Sequence, residues 1–222
     1  MLTIAAAVFV SMLVATPAPP QASRPAQDLA RDLQRKYDQV RDFSADFLHT
    51  YEGGVLRKKV TERGTVLIKK PGKMHWTYTS PEKKEFVSDG VKIYSYVPED
   101  RQVVVTTVAP ADEASSPALF LAGKGNVSRD FKPSLADFPG IGPGEVALKL
   151  VPSAQQREYD WLVLVLDVSS LQIRRLVTTD AQGGTSMFVF TNLKENVGLP
   201  DKAFTFVIPR GVELITDATR SR

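Results

Sequence analysis

Apolar side chains between residues 25 and 42 recur every three or four positions, a spacing typical of an amphipathic helix. These positions are Leu29, Leu33, Tyr37 and Val40. Most of the charged side chains fall between them, so one face of the helix is apolar and the opposite face is polar. The pattern predicts a helix that covers an apolar surface.

Beyond this helix the spacing changes to two, which predicts strands with one buried face. The first strand begins at Phe43 and ends at the turn signal Gly53-Gly54. Further strands are predicted over 60–70, 73–79, 84–88, 91–97, 101–108, 146–151, 161–168, 172–179 and 185–193, and a closing strand over Phe204, Phe206 and Ile208. Ten or eleven strands joined by short turns predict a mainly β fold whose antiparallel sheet curls into a barrel or half-barrel.

A short apolar segment interrupts the strands after residue 108. Ser115-Ser116-Pro117 is a helix start signal, and Gly123 ends the segment. Because this helix is hydrophobic nearly all round, it must bury both faces or lie over an apolar surface. Residues 131–143 follow and are predicted to form a loop, since the Pro-Gly pairs at their end favour turns.

Met74, Trp76 and Tyr78 alternate along one predicted strand, so their side chains share one face of the sheet. The plainer interpretation is one wall of a packed barrel core. The alternative is an adaptable lining for a lipid, because Met and aromatic side chains accommodate ligands of variable shape. The spacing alone leaves both interpretations open.

The first 22 residues contain no charged side chain and include an apolar run of the length of a secretory signal. We expect residues 1–22 to be a signal peptide cleaved near Ala22, and residues 23–222 to form one exported domain. A retained membrane anchor or an artefact of gene calling is the alternative. The chain has no cysteine, so it forms no disulfide and is not itself a lipoprotein.

Charge and catalytic motifs narrow the function classes further. A formal net charge of +3 is too mild to indicate nucleic-acid binding. The two histidines, His49 and His75, have no nucleophile-elbow motif or metal-ligand spacing around them, and His75 should point to the outer face. We therefore expect neither an enzyme nor a protein with a metal or cofactor.

Two motifs, together with the order of the elements, resemble the LolA family of periplasmic carriers in the outer-membrane lipoprotein localisation pathway. The first motif is Lys70-Pro-Gly-Lys-Met-His-Trp76, and the second is the Ser88-Asp89-Gly90 hairpin that leads to Tyr94 and Tyr96. The closing Phe204-Thr205-Phe206 agrees with them, and the resemblance covers residues 26–216. It implies an unclosed, strongly curved antiparallel half-barrel with the N-terminal helix and the short internal helix lying over its mouth.

The resemblance also implies a function and its partners. A periplasmic carrier of this kind takes the acyl chains of lipoproteins released from the inner membrane by an ABC transporter complex and passes them to an outer-membrane acceptor lipoprotein. It would act as a monomer and bind no nucleic acid. The alternatives are a lipid-binding sensor or regulatory module, or a carrier of free lipids or glycolipids, on the same fold.

The implied acyl-binding cavity is apolar and lies beneath the two helices. Its residues are Leu33, Tyr37, Val40, Phe43, Phe47, Met74, Trp76, Tyr78, Leu119, Phe120 and Leu121. In the family an Arg usually precedes the Pro of the first motif and holds the helical lid. Lys70 occupies that position here, and Lys lacks the planar five-donor fork of Arg.

Overall fold

A computed structural model describes residues 25–53, 59–108, 117–155, 159–180 and 183–216. The predicted signal segment 1–22 lies outside the described residues. The strands are β1 (Asp42–Glu52), β2 (Lys59–Lys69), β3 (Lys73–Ser80), β4 (Lys84–Asp89), β5 (Lys92–Val97), β6 (Gln102–Thr107), β7 (Phe131–Ala136), β8 (Glu145–Pro152), β9 (Leu162–Asp167), β10 (Ile173–Thr179), β11 (Thr185–Glu195) and β12 (Glu213–Thr216). The helices are α1 (Ala26–Gln39), α2 (Pro117–Leu121) and α3 (Val127–Asp130), with a 3-10 turn at Asp201–Phe204.

All twelve strands form one sheet in the order β12-β6-β5-β4-β3-β2-β1-β11-β10-β9-β8-β7. Neighbouring strands are antiparallel except for β12, which pairs with β6 in parallel. The sheet is strongly curved and does not close, because β7 and β12 stand at its two ends and do not pair. The predicted fold class is confirmed, and so is the antiparallel order of the ten strands predicted between residues 43 and 193.

The predicted closing strand is wrong. Phe204 ends the 3-10 turn, and Phe206 stacks on Tyr94 with ring centroids 5.4 Å apart. Tyr94 lies on the convex side of the sheet, so this segment crosses that side without pairing with a strand. Phe204 is buried in the segment and Phe206 is half-buried. An alternating pattern indicates only which side chains face an apolar surface. An extended segment that packs across a sheet as a strap gives the same pattern as a strand within the sheet.

Two further strands escaped the sequence pattern. The predicted loop at 131–143 begins with β7, whose Pro133 is tolerated because β7 pairs on one side only. The four residues of β12 are too few to show a period.

The main core lies on the concave side of the sheet. Leu29, Ala30, Leu33 and Tyr37 of α1 are buried there, which confirms the predicted amphipathic helix. A smaller apolar cluster lies on the convex side, where Ala147, Val163, Val165 and Val177 are packed beneath partly buried residues that include Phe138 and Ile141. Within the described ranges, no helix is long and apolar enough to cross a membrane.

Candidate functional site

Five aromatic side chains form a continuous wall along the middle of the concave face. They are Phe47, Trp76, Tyr78, Phe188 and Phe190, contributed by β1, β3 and β11. Phe47 meets Tyr78 and Trp76 edge to face at centroid separations of 4.8 and 5.2 Å, and Trp76 meets Phe188 in the same way at 5.2 Å. Such edge-to-face contacts are favourable beyond the apolar area that the rings bury.

The residues expected to line a cavity lie together in the concave core. Leu33, Tyr37, Val40, Phe43, Phe47, Met74, Trp76, Tyr78, Phe120 and Leu121 are all buried and belong to one cluster. Leu119 is part of α2, and its side chain lies outside what the structure describes.

The helices α1 and α2 meet over this wall. The ring of Tyr37 in α1 stacks on Phe120 in α2 at 6.2 Å, and its hydroxyl donates a hydrogen bond to the carbonyl of Leu121. Burial of that hydroxyl raises the pKa of Tyr37 far above its ordinary value, so the group stays a hydrogen-bond donor at physiological pH. The backbone N–H of Gly72 donates to the carbonyl of Ala122 at 2.9 Å and ties α2 to the turn between β2 and β3.

Lys70 contacts both helices. Its ammonium donates to the carbonyl of Tyr37 at the C-terminal end of α1 and lies 3.4 Å from the centroid of the Tyr37 ring. A cation is favourable at that position because the C-terminal end of a helix carries partial negative charge. Burial lowers the pKa of Lys70 to about 8, against the opposing influence of Asp38 and Glu195.

The aliphatic part of the Lys70 side chain packs against Gly123, two residues beyond the end of α2. A Cβ atom on Gly123 would lie 2.7 Å from Lys70 Cδ and 2.8 Å from Lys70 Cγ. Gly123 also has a φ of +80°, which side chains disfavour. The glycine therefore permits both the sharp end of α2 and the close approach of the lysine.

A narrow cleft opens between the helix ends and the strands β10 and β11. Its lining residues are Lys36, Tyr37, Phe43, Leu121, Leu171, Ile173, Phe190, Leu193 and Glu195. The cleft holds only about 10 Å³ of space, close to the minimum for one water molecule. Lys36 and Glu195 form an ion pair of 2.6 Å at its rim. The helix ends therefore lie close to the aromatic wall, and the cleft is a narrow apolar gap with a charged rim.

A polar cluster marks the opposite end of the concave face. His49 Nε2 lies 2.7 Å from Ser186 Oγ, His49 Nδ1 lies 3.0 Å from Glu62 Oε2, and Lys84 donates to Glu62 Oε1 at 2.6 Å. The His49 ring stacks flat on Phe188 at 4.1 Å, which joins the cluster to the aromatic wall. The polar side chains thus close the far end of the interior.

The electrostatics of this cluster assign its protons. Burial lowers the pKa of His49 and outweighs the attraction of Glu62, so the imidazole is neutral at pH 7. Burial acts to raise the pKa of Glu62, but hydrogen bonds from Lys84 and His49 outweigh it and lower that pKa. Since an ionised carboxylate only accepts, His49 donates from Nδ1 to Glu62 and accepts at Nε2 from the Ser186 hydroxyl.

Comparison with known proteins identifies the family to which the chain belongs. A model of the family described as "Outer membrane lipoprotein carrier protein LolA" matches residues 38–207. The chain belongs to the LolA family. A LolA relative from Nitrosomonas europaea, named outer-membrane lipoprotein carrier protein, is 27% identical over 215 residues, which cover 95% of this chain and 97% of the relative. A second protein of that name, from Methylococcus capsulatus, is 29% identical over 185 residues and covers 83% and 86% of the two chains.

A solved structure agrees at the level of the fold. An uncharacterised conserved protein from Thermus thermophilus superposes with a TM-score of 0.51 at 14% identity, covering 86% of this chain and 98% of that one. This likeness concerns the fold alone.

Several residues of the concave interior were not identified from the sequence. Phe188 and Phe190 complete the aromatic wall, and Leu171 and Ile173 line the cleft. Alternation along β11 places Phe188 and Phe190 on one face, so the signal was present in the same form as for Met74 and Trp76. Leu171 precedes its strand in a turn with a φ of 54°, and no periodic signal marks it.

The chemistry of this interior suits binding better than bond cleavage. Ser186, His49 and Glu62 stand in the order found in some hydrolases, but β11 is paired on both sides, so its backbone N–H groups are engaged in the sheet and do not offer an oxyanion site. Among the described residues, no group of three His, Cys, Asp or Glu side chains is placed to hold a metal ion. The family is named for a carrier, which agrees with an apolar interior under a cover.

Proposed function

We propose that this protein is a periplasmic chaperone that binds the acyl chains of lipoproteins released from the inner membrane and carries them to the outer membrane. The observation that carries the proposal is an apolar concave wall covered by two helices whose ends meet at Lys70. The family description and the names of the two relatives support a lipoprotein carrier.

The need for such a carrier follows from the hydrophobic effect. Each acyl CH₂ exposed to water costs about 0.8 kcal/mol, so two or three long chains sum to tens of kcal/mol. Free diffusion of a lipoprotein between two membranes is therefore negligible, and an apolar interior that travels with the cargo removes this cost.

Loading exchanges one apolar contact for another. In the closed state the undersides of α1 and α2 occupy the concave face, with Leu33, Tyr37 and Phe120 buried in it. Acyl chains that enter would take over the contacts of these side chains with the wall. Empty and loaded states then lie close in free energy, which lets the carrier both accept and release its cargo.

Lys70 is the proposed latch of the cover. It holds α1 through the carbonyl of Tyr37 and α2 through its packing on Gly123. Its removal should favour the open state and leave the sheet intact, because the contact lies at the rim of the core. An inner-membrane ABC transporter complex is the proposed donor of cargo and an outer-membrane acceptor lipoprotein the proposed recipient, with the carrier acting as a monomer.

The decisive test is transfer from a membrane. Purified protein is incubated with vesicles that contain a triacylated lipoprotein and the releasing transporter, and soluble complexes are isolated by gel filtration. We expect a soluble one-to-one complex with the acylated lipoprotein and none with a variant that lacks the acylated cysteine. Failure to form the complex in the presence of an active transporter, or recovery of bound free lipid alone by mass spectrometry, would contradict the proposal.

A pair of variants ties transfer to the concave wall. Phe47→Asp places a charge among Trp76, Tyr78 and Phe188 and should abolish complex formation, since burial of an unpaired charge is strongly unfavourable. Val207→Asp introduces the same charge at a residue that is 79% exposed and should leave transfer unchanged. Circular dichroism establishes that both variants are folded before transfer is compared.

A further inference from the structure

Among the described residues, Trp76 carries the one buried polar atom of the aromatic wall that has no hydrogen-bond partner. Its side chain is 4% exposed, and Nε1 is buried without a hydrogen-bond acceptor in the part of the chain that the structure describes. The other buried side-chain atom without a hydrogen-bond partner, His75 Nε2, lies on the convex face, outside the interior, 3.5 Å from a Glu85 carboxylate oxygen. Within the same described ranges, Trp76 Nε1 is thus the buried unpartnered atom that faces the concave interior.

The surroundings of Trp76 explain why its neighbours do not serve it. Val66 and Phe86 are its cross-strand neighbours, and Phe47 and Phe188 face it edge to face. These four side chains contain no acceptor. A trapped water is a poor substitute, because a buried water needs two or more polar partners and these neighbours offer none besides the indole itself.

An orphaned donor deep in a binding interior is costly in the empty state, so a ligand that supplies an acceptor gains affinity at that point. Hydrocarbon chains supply none. The acyl carbonyl is the acceptor that a fatty-acyl ligand carries at a fixed place, at the start of each chain. Recognition of this atom would distinguish an acyl chain from a plain alkyl chain of the same length.

We propose that the indole N–H of Trp76 donates a hydrogen bond to an acyl ester carbonyl of the bound lipid, and that this contact selects esterified acyl chains and sets how deeply they enter. The proposal rests on the proposed carrier function and deepens it, since it names the functional group that the interior recognises. The same carbonyl occurs in the diacylglyceryl group of lipoproteins and in membrane phospholipids. The experiment separates these two sources.

The test is a double-mutant cycle between protein and ligand. Affinities are measured for a diacylglyceryl-cysteine lipopeptide, for its dialkyl ether counterpart, which lacks both ester carbonyls, and for a diacyl phospholipid of equal chain length. Wild-type protein should bind the ester lipopeptide about 3- to 10-fold more tightly than the ether, the range expected for one buried hydrogen bond. In Trp76→Phe, which keeps an aromatic ring and loses the donor, the ratio should fall to about 1.

The second tryptophan provides a matched control. Trp161 belongs to the convex cluster beside Lys149, so Trp161→Phe should keep the wild-type ratio. The chain has two tryptophans, so its ¹⁵N-labelled form gives two indole signals. The ester lipopeptide should shift the Trp76 N–H signal downfield, the ether should not, and neither should produce a hydrogen-bond shift at Trp161.

Each outcome bears on the inference. An unchanged ester-to-ether ratio in folded Trp76→Phe overturns it and leaves the carrier function standing. Absence of binding of every ligand to wild-type protein overturns both. A phospholipid that binds the wild-type protein and loses about 3- to 10-fold in affinity in Trp76→Phe, while the lipopeptide does not bind, supports recognition of the carbonyl and contradicts a lipoprotein as its source.

Discussion

At the scale of single residues, glycine decides how closely parts of this fold approach. Gly64 lies in β2 at a register shift opposite β3. A Cβ atom there would lie 1.9 Å from the carbonyl oxygen of Thr77 and 2.9 Å from Phe47 Cζ. One residue without a side chain therefore allows the strands to pair and the aromatic wall to pack against them.

Gly64→Ala is expected to lower the free energy of unfolding by about 1–3 kcal/mol, because the strands must separate or Phe47 must move. Urea denaturation measures this loss. Gly142→Ala is the matched control, since its Cβ would meet only the Glu145 carboxylate, with the nearest oxygen at 3.6 Å, and should have little effect. Equal stabilities of the two variants would contradict the steric explanation.

A second residue-scale prediction concerns the pH dependence of Lys70. Its pKa is about 8 in the folded protein and has an ordinary value of 10.5, so between these values the unfolded chain binds more protons than the folded one. Stability contributed at this position therefore rises as pH increases from about 8 to about 10.5. The difference in unfolding free energy between wild type and Lys70→Met should grow across that range. A difference that stays constant with pH would show that the amine is not desolvated.

At the scale of elements, α1 and α2 form one cover because residues near their ends contact each other and Lys70. Tyr37 stacks on Phe120 and donates to the Leu121 carbonyl, and Lys70 reaches both helices from the sheet. Since α2 has only five residues, it lacks the length to be stable alone. Its structure depends on these tertiary contacts.

Tyr37→Phe should make the backbone amides of α2 exchange with solvent about 3- to 10-fold faster, because one buried hydrogen bond is lost and the Leu121 carbonyl is left without its donor. Hydrogen exchange with mass spectrometry reports this on peptides that contain Ala122, whose N–H bonds to the carbonyl of Ala118. Tyr51→Phe removes a comparable hydroxyl contact, to Asp180 at 2.9 Å, far from α2 and serves as control. Exchange of α2 that is unaffected by Tyr37→Phe would contradict the coupling of the two helices.

At the scale of the whole molecule, the polar cluster around His49 links several strands through side-chain contacts at one end of the concave face. It joins β1, β2, β4 and β11 through His49, Glu62, Lys84 and Ser186, with Tyr78 of β3 beneath the Lys84 ammonium at 4.5 Å. Protonation of this cluster therefore affects the sheet as a unit.

The folded protein should lose stability in acid through this cluster. Because the folded pKa of His49 lies below 6.5, the unfolded state takes up a proton first, and stability present above that pH is lost as pH falls through the folded value. Glu62, whose pKa is also lowered, adds a further loss below its ordinary value of 4.5. His49→Gln should flatten the dependence of melting temperature on pH below about 6.5, the ordinary histidine pKa. A melting temperature of His49→Gln that varies with pH as steeply as that of the wild type would contradict this role of the cluster.

Periodicity was sufficient to predict the elements in which the burial of each residue is set by its own strand or helix. The stripe of Leu29, Leu33 and Tyr37 and the alternation of Met74 and Trp76 have this character, and so the helix, ten strands and the curled sheet could be predicted. Contacts set by register between distant strands could not. His49 stands opposite Glu62 and Phe188 only because β1 pairs with β2 and β11 in one particular alignment.

The segment 204–208 and Lys70 show two further limits of prediction from the sequence pattern. Phe204 and Phe206 alternate like a strand, yet their partners lie on the convex surface, which a one-dimensional pattern does not represent. Lys70 was singled out by resemblance to the LolA family. Its packing on Gly123 depends on the left-handed turn that ends α2, which no spacing reveals.

The two end strands of the sheet also affect whether copies of the molecule can associate by strand pairing. An open sheet offers unpaired N–H and C=O groups at its margins, and these can template fibrous assembly. Here β7 interrupts its free margin with Pro133 and carries Lys132 beside it, while β12 has only four residues, beginning with Glu213. A proline, charges and a short strand all discourage strand addition. The sheet can therefore stay unclosed around its apolar interior while its two margins remain poor templates for polymerisation.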